Sequence, residues 1–266
     1  MRRIKFINVA IIIVLILLCA GCGSNRPSDT KVLKVGINST APPYGFYDEN
    51  TNELSGFDVD IARELARRTN KELVIEEYSF QRILYSVLNN RIDCGFGSTY
   101  ITEERKEKLG FTEPYNIDVT KIAIHASHKD INTLDDLKKS NIKIASKNGT
   151  IYAQILKEIG FSDNQIVIYP EQADLKLIIQ KDHNMGVATG HRRLSYLVQN
   201  KILDLKFIDP PIVPPQYCGI TVNKNNTELI DRLNIALKEM KEDGTYKKIA
   251  MKWFKHDPFE EYSLTK

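Results

Sequence analysis

The sequence predicts an α/β protein made of two successive units, each a run of short strands alternating with amphipathic helices. Three observations carry this. Short apolar runs recur, beginning with the alternating Lys31 to Asn38 (KVLKVGIN). Between them lie helical stripes such as Ile61, Ala62, Leu65 and Ala66, with Arg63, Glu64, Arg67 and Arg68 on the wet side. The alternation then starts again in the second half of the chain. Such an order argues for largely parallel sheets with helices on both faces.

The first strand, Lys31 to Asn38, runs into a loop at Ser39 to Tyr44, because paired prolines do not continue a central strand. Asp48 to Ser55 is a polar turn, and Gly56 to Asp60 leads into the first helix. Leu73 to Glu77 is the next strand. Phe80, Ile83, Leu84, Val87 and Leu88 form a second helical stripe, closed by Asn89-Asn90-Arg91, and Ile92 to Phe96 is again a strand. After Pro114-Tyr115 the chain is extended over Val119 to His125. Thr133 caps a short helix, Leu134 to Lys139. Then come a strand (Ile142 to Ala145), a turn at Lys147 to Thr150, and a helix carrying Ile151, Ile155, Leu156 and Ile159. A strand (Gln165 to Tyr169), a helix (Gln172 to Gln180), a strand (Met185 to Thr189) and a helix (Arg192 to Asn200) complete the second unit. Pro210-Pro211 and Pro214-Pro215 interrupt the chain before an extended Gln216 to Val222. Two helices, Glu228 to Glu242 and Thr245 to Phe254, end it.

The first 21 residues of the 266 read as a targeting segment. Arg2, Arg3 and Lys5 are a basic start, and Ile7 to Leu18 is an apolar stretch shorter than the ~20 residues of a comfortable membrane span. Ala20 and Gly21 precede Cys22, as in a bacterial lipoprotein processing box, although Cys19 stands where an aliphatic residue is usual. Cys22 is then the lipidated residue and residues 22–30 a tether. The alternative is an ordinary secretory signal. Of 37 basic residues the leader holds three, leaving 34 against 34 acidic ones. This balance, without a basic aromatic stripe, gives no reason to expect nucleic acid. Only Cys94 and Cys218 remain besides Cys19 and Cys22, with no metal-ligand spacing. They form either a disulfide or two buried thiols.

Gly97 to Tyr115 (GSTYITEERKEKLGFTEPY) concentrates the chemistry. A small-residue turn follows a strand, and Thr102 caps a helix with Glu103 and Glu104 in its first turn. Arg105 in that turn either reaches back to grip a carboxylate, aided by free backbone N–H groups, or lies on a solvated charged face.

Five blocks together resemble the polar amino-acid-binding family of extracytoplasmic solute-binding proteins, the receptors of ABC importers. They are Gly56 to Ala62 (GFDVDIA), Arg91-Ile92-Asp93, Ile101 to Arg105 (ITEER), Phe111 to Tyr115 (FTEPY), and Asp243 to Tyr246 with Lys252-Trp253-Phe254. The resemblance implies a type II periplasmic-binding-protein fold: two Rossmann-like α/β lobes joined by two crossing strands. Lobe one is then 31–118 plus 221–266, and lobe two is 119–220, with crossings near Val119 to Ala123 and Gln216 to Thr221.

The resemblance also implies site residues. Arg105 binds the ligand α-carboxylate, beside Gly97 and Ser98. Phe80 packs on the ligand, or is simply core. Asn38 reads the ligand side chain. Lys147 and Thr150 hold the carboxylate at a helix N-terminus, although Lys147 is equally a solvated turn lysine. Three departures stand out. Tyr100 replaces a Ser or Thr, Ala41 replaces an aromatic, and Gly190 replaces the aspartate that pairs with the ligand ammonium. Either another group supplies that charge or the ligand lacks an ammonium. Gly190→Asp improves amino-acid binding if the missing acid is limiting; no gain means that another residue already supplies the charge. His191 and Arg192 present positive charge to an anionic ligand, or face solvent at a helix start.

The implied function is a monomeric receptor, lipid-anchored to the outer face of the cytoplasmic membrane. It delivers an amino acid or related small carboxylate to an ABC permease, with neither cofactor nor metal. The alternatives are an orphan or sensory subunit for another anion, and a dehydratase-like enzyme with His191 as its one visible acid–base candidate, Glu171 and Asp118 being acids that the sequence does not place.

Overall fold

A computed structural model describes residues 31–170 and 175–263. The leader, Cys22, the tether and the start of the helix expected from Gln172 lie outside these residues.

The chain forms β1 (Val32–Ile37), β2 (Thr40–Ala41), β3 (Gly45–Tyr47), β4 (Leu54–Ser55), α1 (Phe57–Arg68), β5 (Glu72–Glu77), α2 (Phe80–Leu88) and β6 (Cys94–Tyr100). It continues with α3 (Glu103–Lys106), β7 (Leu109–Phe111), β8 (Asn116–His125), α4 (Leu134–Lys139), β9 (Lys143–Lys147), α5 (Tyr152–Glu158) and β10 (Ile166–Tyr169). Last come α6 (Leu175–Lys181), β11 (Met185–Gly190), α7 (His191–Gln199), β12 (Leu205–Asn223), α8 (Thr227–Glu242), α9 (Thr245–Phe254) and α10 (Pro258–Ser263).

One mixed sheet runs in the order β10-β9-β11-β8-β12-β6-β1-β5, and β7 also pairs with β12. Its flanks are parallel: β5 and β6 with β1, β10 and β11 with β9. Its centre is antiparallel, where β8 and β12 pair with each other and connect the flanks. A separate small sheet, β2-β3-β4, lies beside the first flank.

Each flank has its own apolar core. In the first, α1 buries Phe57, Val59, Ile61, Ala62, Leu65 and Ala66, with Asp58 and Asp60 in its first turn and Arg67 and Arg68 in its last. Phe57 packs between Tyr115 and Phe254, at 5.9 and 4.6 Å between ring centres. In the second flank, Ile122, Ile124, Ile144, Leu156 and Ile208 form one cluster and Ala145, Val187, Leu194 and Leu197 another. Fully burying such a side chain stabilises by roughly 1.5–3 kcal/mol. Tyr152, at the start of α5, packs against the cores of both flanks, so the halves are in contact across the space between them.

Two segments differ from the sequence expectation. The strand expected to end at Phe96 continues as β6 to Tyr100, with its kink inside it: Gly97 has φ +148 and Ser98 φ +49. The segment broken by prolines is part of β12. Its pairing with β8 shifts register between Ile208 and Val213 and again between Val213 and Gln216. The prolines occupy those irregularities, where their missing N–H breaks no ladder bond. Cys94 and Cys218 are buried free thiols.

Candidate functional site

A cavity of about 120 Å³ lies between the two flanks, lined by the C-terminal ends of β1, β6 and β9 and by the start of α7. From the first half it receives the expected Asn38, Phe80, Gly97, Ser98, Tyr100 and Arg105, and from the second Lys147, Thr150 and Gly190.

Arg105 is placed by local sequence. Thr102 caps the single turn of α3 by accepting from the Arg105 backbone N–H at 3.3 Å. That turn sends the side chain back along β6, where Nη1 donates to the Tyr100 carbonyl at 2.9 Å. The guanidinium lies 5.7 Å from the Phe80 ring centre. Burial pushes its pKa down, with only weak opposing fields from groups such as Tyr152 and Glu104. No described carboxylate is in ion-pair contact with it. Phe80 opens α2 and belongs to none of the buried core clusters, so its role as cavity wall is the one the geometry favours.

The kink at Gly97 and Ser98 shapes the floor. A Cβ at Gly97 would stand 3.2 Å from the Phe80 ring, in a backbone conformation that side chains rarely adopt. The Ser98 N–H is not free, as the sequence reading expected; it donates to the Tyr115 hydroxyl at 3.0 Å. That hydroxyl in turn donates to Asp58 Oδ1 at 3.0 Å. Asn116 Nδ2 donates to Ser98 Oγ at 2.8 Å. Burial pushes the Asp58 carboxyl up to about 7, opposed by its bond from Tyr115.

Tyr100 narrows the cavity and spends its phenol on Thr120 Oγ1 at 3.0 Å. Asn38 Oδ1 accepts from the backbone N–H and hydroxyl of Thr40, both at 2.9 Å. In the second half, Thr150 Oγ1 donates to the Lys147 carbonyl at 2.7 Å and closes the turn. Helix α5 begins at Tyr152, two residues after Thr150, and no side chain caps its N-terminus. Tyr152 and Ile151, passed over in the sequence reading, wall the cavity.

His191 and Arg192 correct the sequence expectation. His191 does not line the cavity. Its ring lies 4.9 Å from that of Phe207, Nε2 pairs with Ser195 Oγ at 3.0 Å, and burial pushes its pKa down to about 4. It is therefore neutral at ordinary pH. Arg192 is neither solvated nor in the cavity: it is 3 % exposed. Its Nε donates to the Ile117 carbonyl at 3.0 Å and its Nη2 to Glu261 at 2.9 Å. The next residue is the one that faces the cleft: Arg193 lines the cavity and donates from Nη2 to the Thr40 carbonyl at 3.0 Å, joining the halves.

The acid expected at position 190 has a neighbour that the sequence reading could not place. Asp118, on β8, is buried and lines the cavity. Its Oδ2 accepts from the Tyr44 hydroxyl at 3.0 Å, and its Oδ1 from the backbone N–H of Val119 at 2.9 Å and of Arg192 at 3.4 Å. Burial pushes this carboxyl up to about 6, against the pull of Arg192 and Tyr44. A lone aspartate in an extended run carries no local signal; only the pairing of β8 with β11 brings it to Gly190.

Two α/β halves bridged by two strands, with a lined cleft between them, define a solute-binding protein of the type II periplasmic-binding class. The chain belongs to the bacterial extracellular solute-binding proteins, family 3, whose profile it matches over residues 33–256. It is similar to the probable amino-acid-binding protein YxeM of Bacillus subtilis (strain 168), 28% identical over 260 residues that cover 97% of each chain. Among solved structures it resembles an ancestral arginine-binding protein bound to glutamine. The identity is 31% and the TM-score 0.73, over 85% of this chain and 99% of that one. It also resembles the ancestral amino acid-binding protein AncCDT-1, a precursor of cyclohexadienyl dehydratase. There the identity is 27% and the TM-score 0.73, over 84% and 96% of the two chains.

Proposed function

We propose that the chain is an extracytoplasmic receptor that takes a small amino acid into the cleft and delivers it to an ABC importer, tethered through a lipid on Cys22. The observation that carries this reading is Arg105. A half-buried guanidinium without an ion-pair partner is costly, and a ligand carboxylate supplies two parallel charge-assisted hydrogen bonds. The names of the relatives agree with an amino-acid ligand.

The cavity volume points to a modest side chain. A dry cavity of about 150 Å³ is enough for benzene, and the present one is about 120 Å³, narrowed by Tyr100 and Tyr152. Lobe one (31–118 plus 221–266) and lobe two (119–220) open and close about β8 and β12, whose broken register suits a hinge. The enzyme alternative loses His191 as its candidate, because that ring lies against Phe207 and does not line the cavity.

The test is a thermal-shift screen of the purified chain against the standard amino acids, followed by calorimetry. A ligand at about 100 times its Kd adds roughly 2.7 kcal/mol of stability. Small amino acids are expected to shift the transition, ahead of arginine or cystine. Arg105→Ala is expected to weaken binding about 100-fold or more. Unchanged affinity in that variant would remove Arg105 from the site and with it this reading.

A further inference from the structure

We propose that Asp118 is the counter-ion for a protonated amine on the ligand, and that Gly190 is glycine because that carboxylate occupies its side-chain space. The inference rests on the amino-acid reading and assigns one group within it.

An ideal Cβ built on Gly190 lies 2.4 Å from Asp118 Oδ2, a separation that real Cβ atoms do not adopt. Backbone conformation does not call for glycine there, since φ is −56. Nor is it the hydrogen-bond ladder, in which Gly190 pairs with Thr120 like any other residue. A side chain at position 190 would have to push this carboxylate aside, since the atoms that fill the space belong to Asp118, which lines the cavity.

Asp118 interrupts a buried run, between Ile117 and Val119, where aspartate is disfavoured in a strand and an ionised carboxylate is costly to bury. Its partners satisfy it in part. A carboxylate has about four acceptor positions; among the described residues, Oδ1 takes two backbone N–H groups and Oδ2 one hydroxyl. Arg192 contributes its field, but its Nε and Nη2 are directed to Ile117 and Glu261. The raised pKa of Asp118 agrees: the acid is under-compensated until a cation arrives. The other charged side chains that line the cavity beside it are basic (Arg105, Lys147 and Arg193), apart from Asp58, which already accepts from Tyr115. Asp118 is thus the acid placed to receive an ammonium, while Arg105 receives the carboxylate.

The test is calorimetry on the purified full chain with two probes: the amino acid that gives the largest thermal shift, and its deaminated acid, with hydrogen in place of the ammonium. Asp118→Asn keeps the shape and an acceptor for Val119 and Arg192. It is expected to weaken the amino acid about 100-fold or more and to leave the deaminated acid bound as well as before or better. A loss of less than about threefold for the amino acid overturns the proposal while the receptor reading stands. An equal loss for both probes also overturns it, since that is what a purely structural role produces.

Gly190→Asp alone is expected to weaken the amino acid, the reverse of the gain expected from sequence, because it sets a second carboxylate against the first. The pair Asp118→Ser with Gly190→Asp moves the acid to the neighbouring strand, into the same space, and is expected to recover the preference for the amino acid. If Asp118→Asn does not fold, this pair decides: no recovered preference overturns the proposal. A wild-type chain that binds no amino acid overturns both the proposal and the reading beneath it.

Discussion

At the scale of single residues, the cleft is held by buried polar groups that serve more than one neighbour. Tyr115 is the clearest case. Its hydroxyl donates to Asp58 and accepts from the Ser98 N–H, so it fixes both the first turn of α1 and the kink of β6. Tyr115→Phe keeps the ring stacked on Phe57 and removes only the oxygen. Leaving two buried polar groups unsatisfied costs about 1–3 kcal/mol each. The expected outcome, read by thermal unfolding, is a Tm lower by roughly 2–4 °C for each kcal/mol. An unchanged Tm would mean that water takes the place of the hydroxyl. Residues of this kind were only partly legible in the sequence. Arg105 was, because Thr102 and two acids mark a helix start beside it. Asp118 and Tyr152 were not: their significance depends on which strand lies opposite, and that is a tertiary fact.

At the scale of elements, regular patterning explains most of what could be read. Helix α1 shows its buried stripe and its charge polarity directly, and α4 shows its capping box. Thr133 accepts from the Asp136 N–H at 3.1 Å, and Asp136 Oδ2 accepts from the Thr133 N–H at 3.0 Å. Thr133→Ala is expected to cost about 1 kcal/mol, measured as a lower denaturant midpoint with an unchanged slope. An unaltered midpoint would assign the cap no net stability. The elements that escaped the sequence are those without a period. β2 and β4 have two residues each and β7 three, too short for alternation to show. Four of the six residues from Pro210 to Pro215 lack a backbone N–H, and the segment is held to the sheet by β8 through Val213 opposite Thr120.

At the scale of the whole molecule, buried acids make stability depend on pH. Asp58 and Asp118 are raised by burial to about 7 and about 6 from the ordinary 3.8. A raised acid favours the folded state while protonated in it, so this contribution is present at acid pH and is lost as pH rises through 6 to 7. Glu261 acts in the opposite sense: despite its burial, His256 and Arg192 hold it at about 2, so its contribution fades as pH falls from 4.5 towards 2. The ligand-free chain is therefore expected to be most stable on the mildly acidic side and to lose Tm towards neutral pH. Asp58→Asn should flatten that decline, and a flat wild-type profile would contradict the burial of both carboxyls. An ammonium ligand paired with Asp118 should give a larger thermal shift at neutral pH than at pH 5.

The two thiols have a use of their own. Cys94 on β6 and Cys218 on β12 are wholly enclosed, and burial pushes both well above the ordinary thiol range. An alkylating reagent reaches them only when the strands that hold them come apart. Their rate of labelling, assigned to each position by mass spectrometry, is thus a clock for the opening of the central sheet, and the slowing of that clock by a bound solute measures its affinity with no label on the solute.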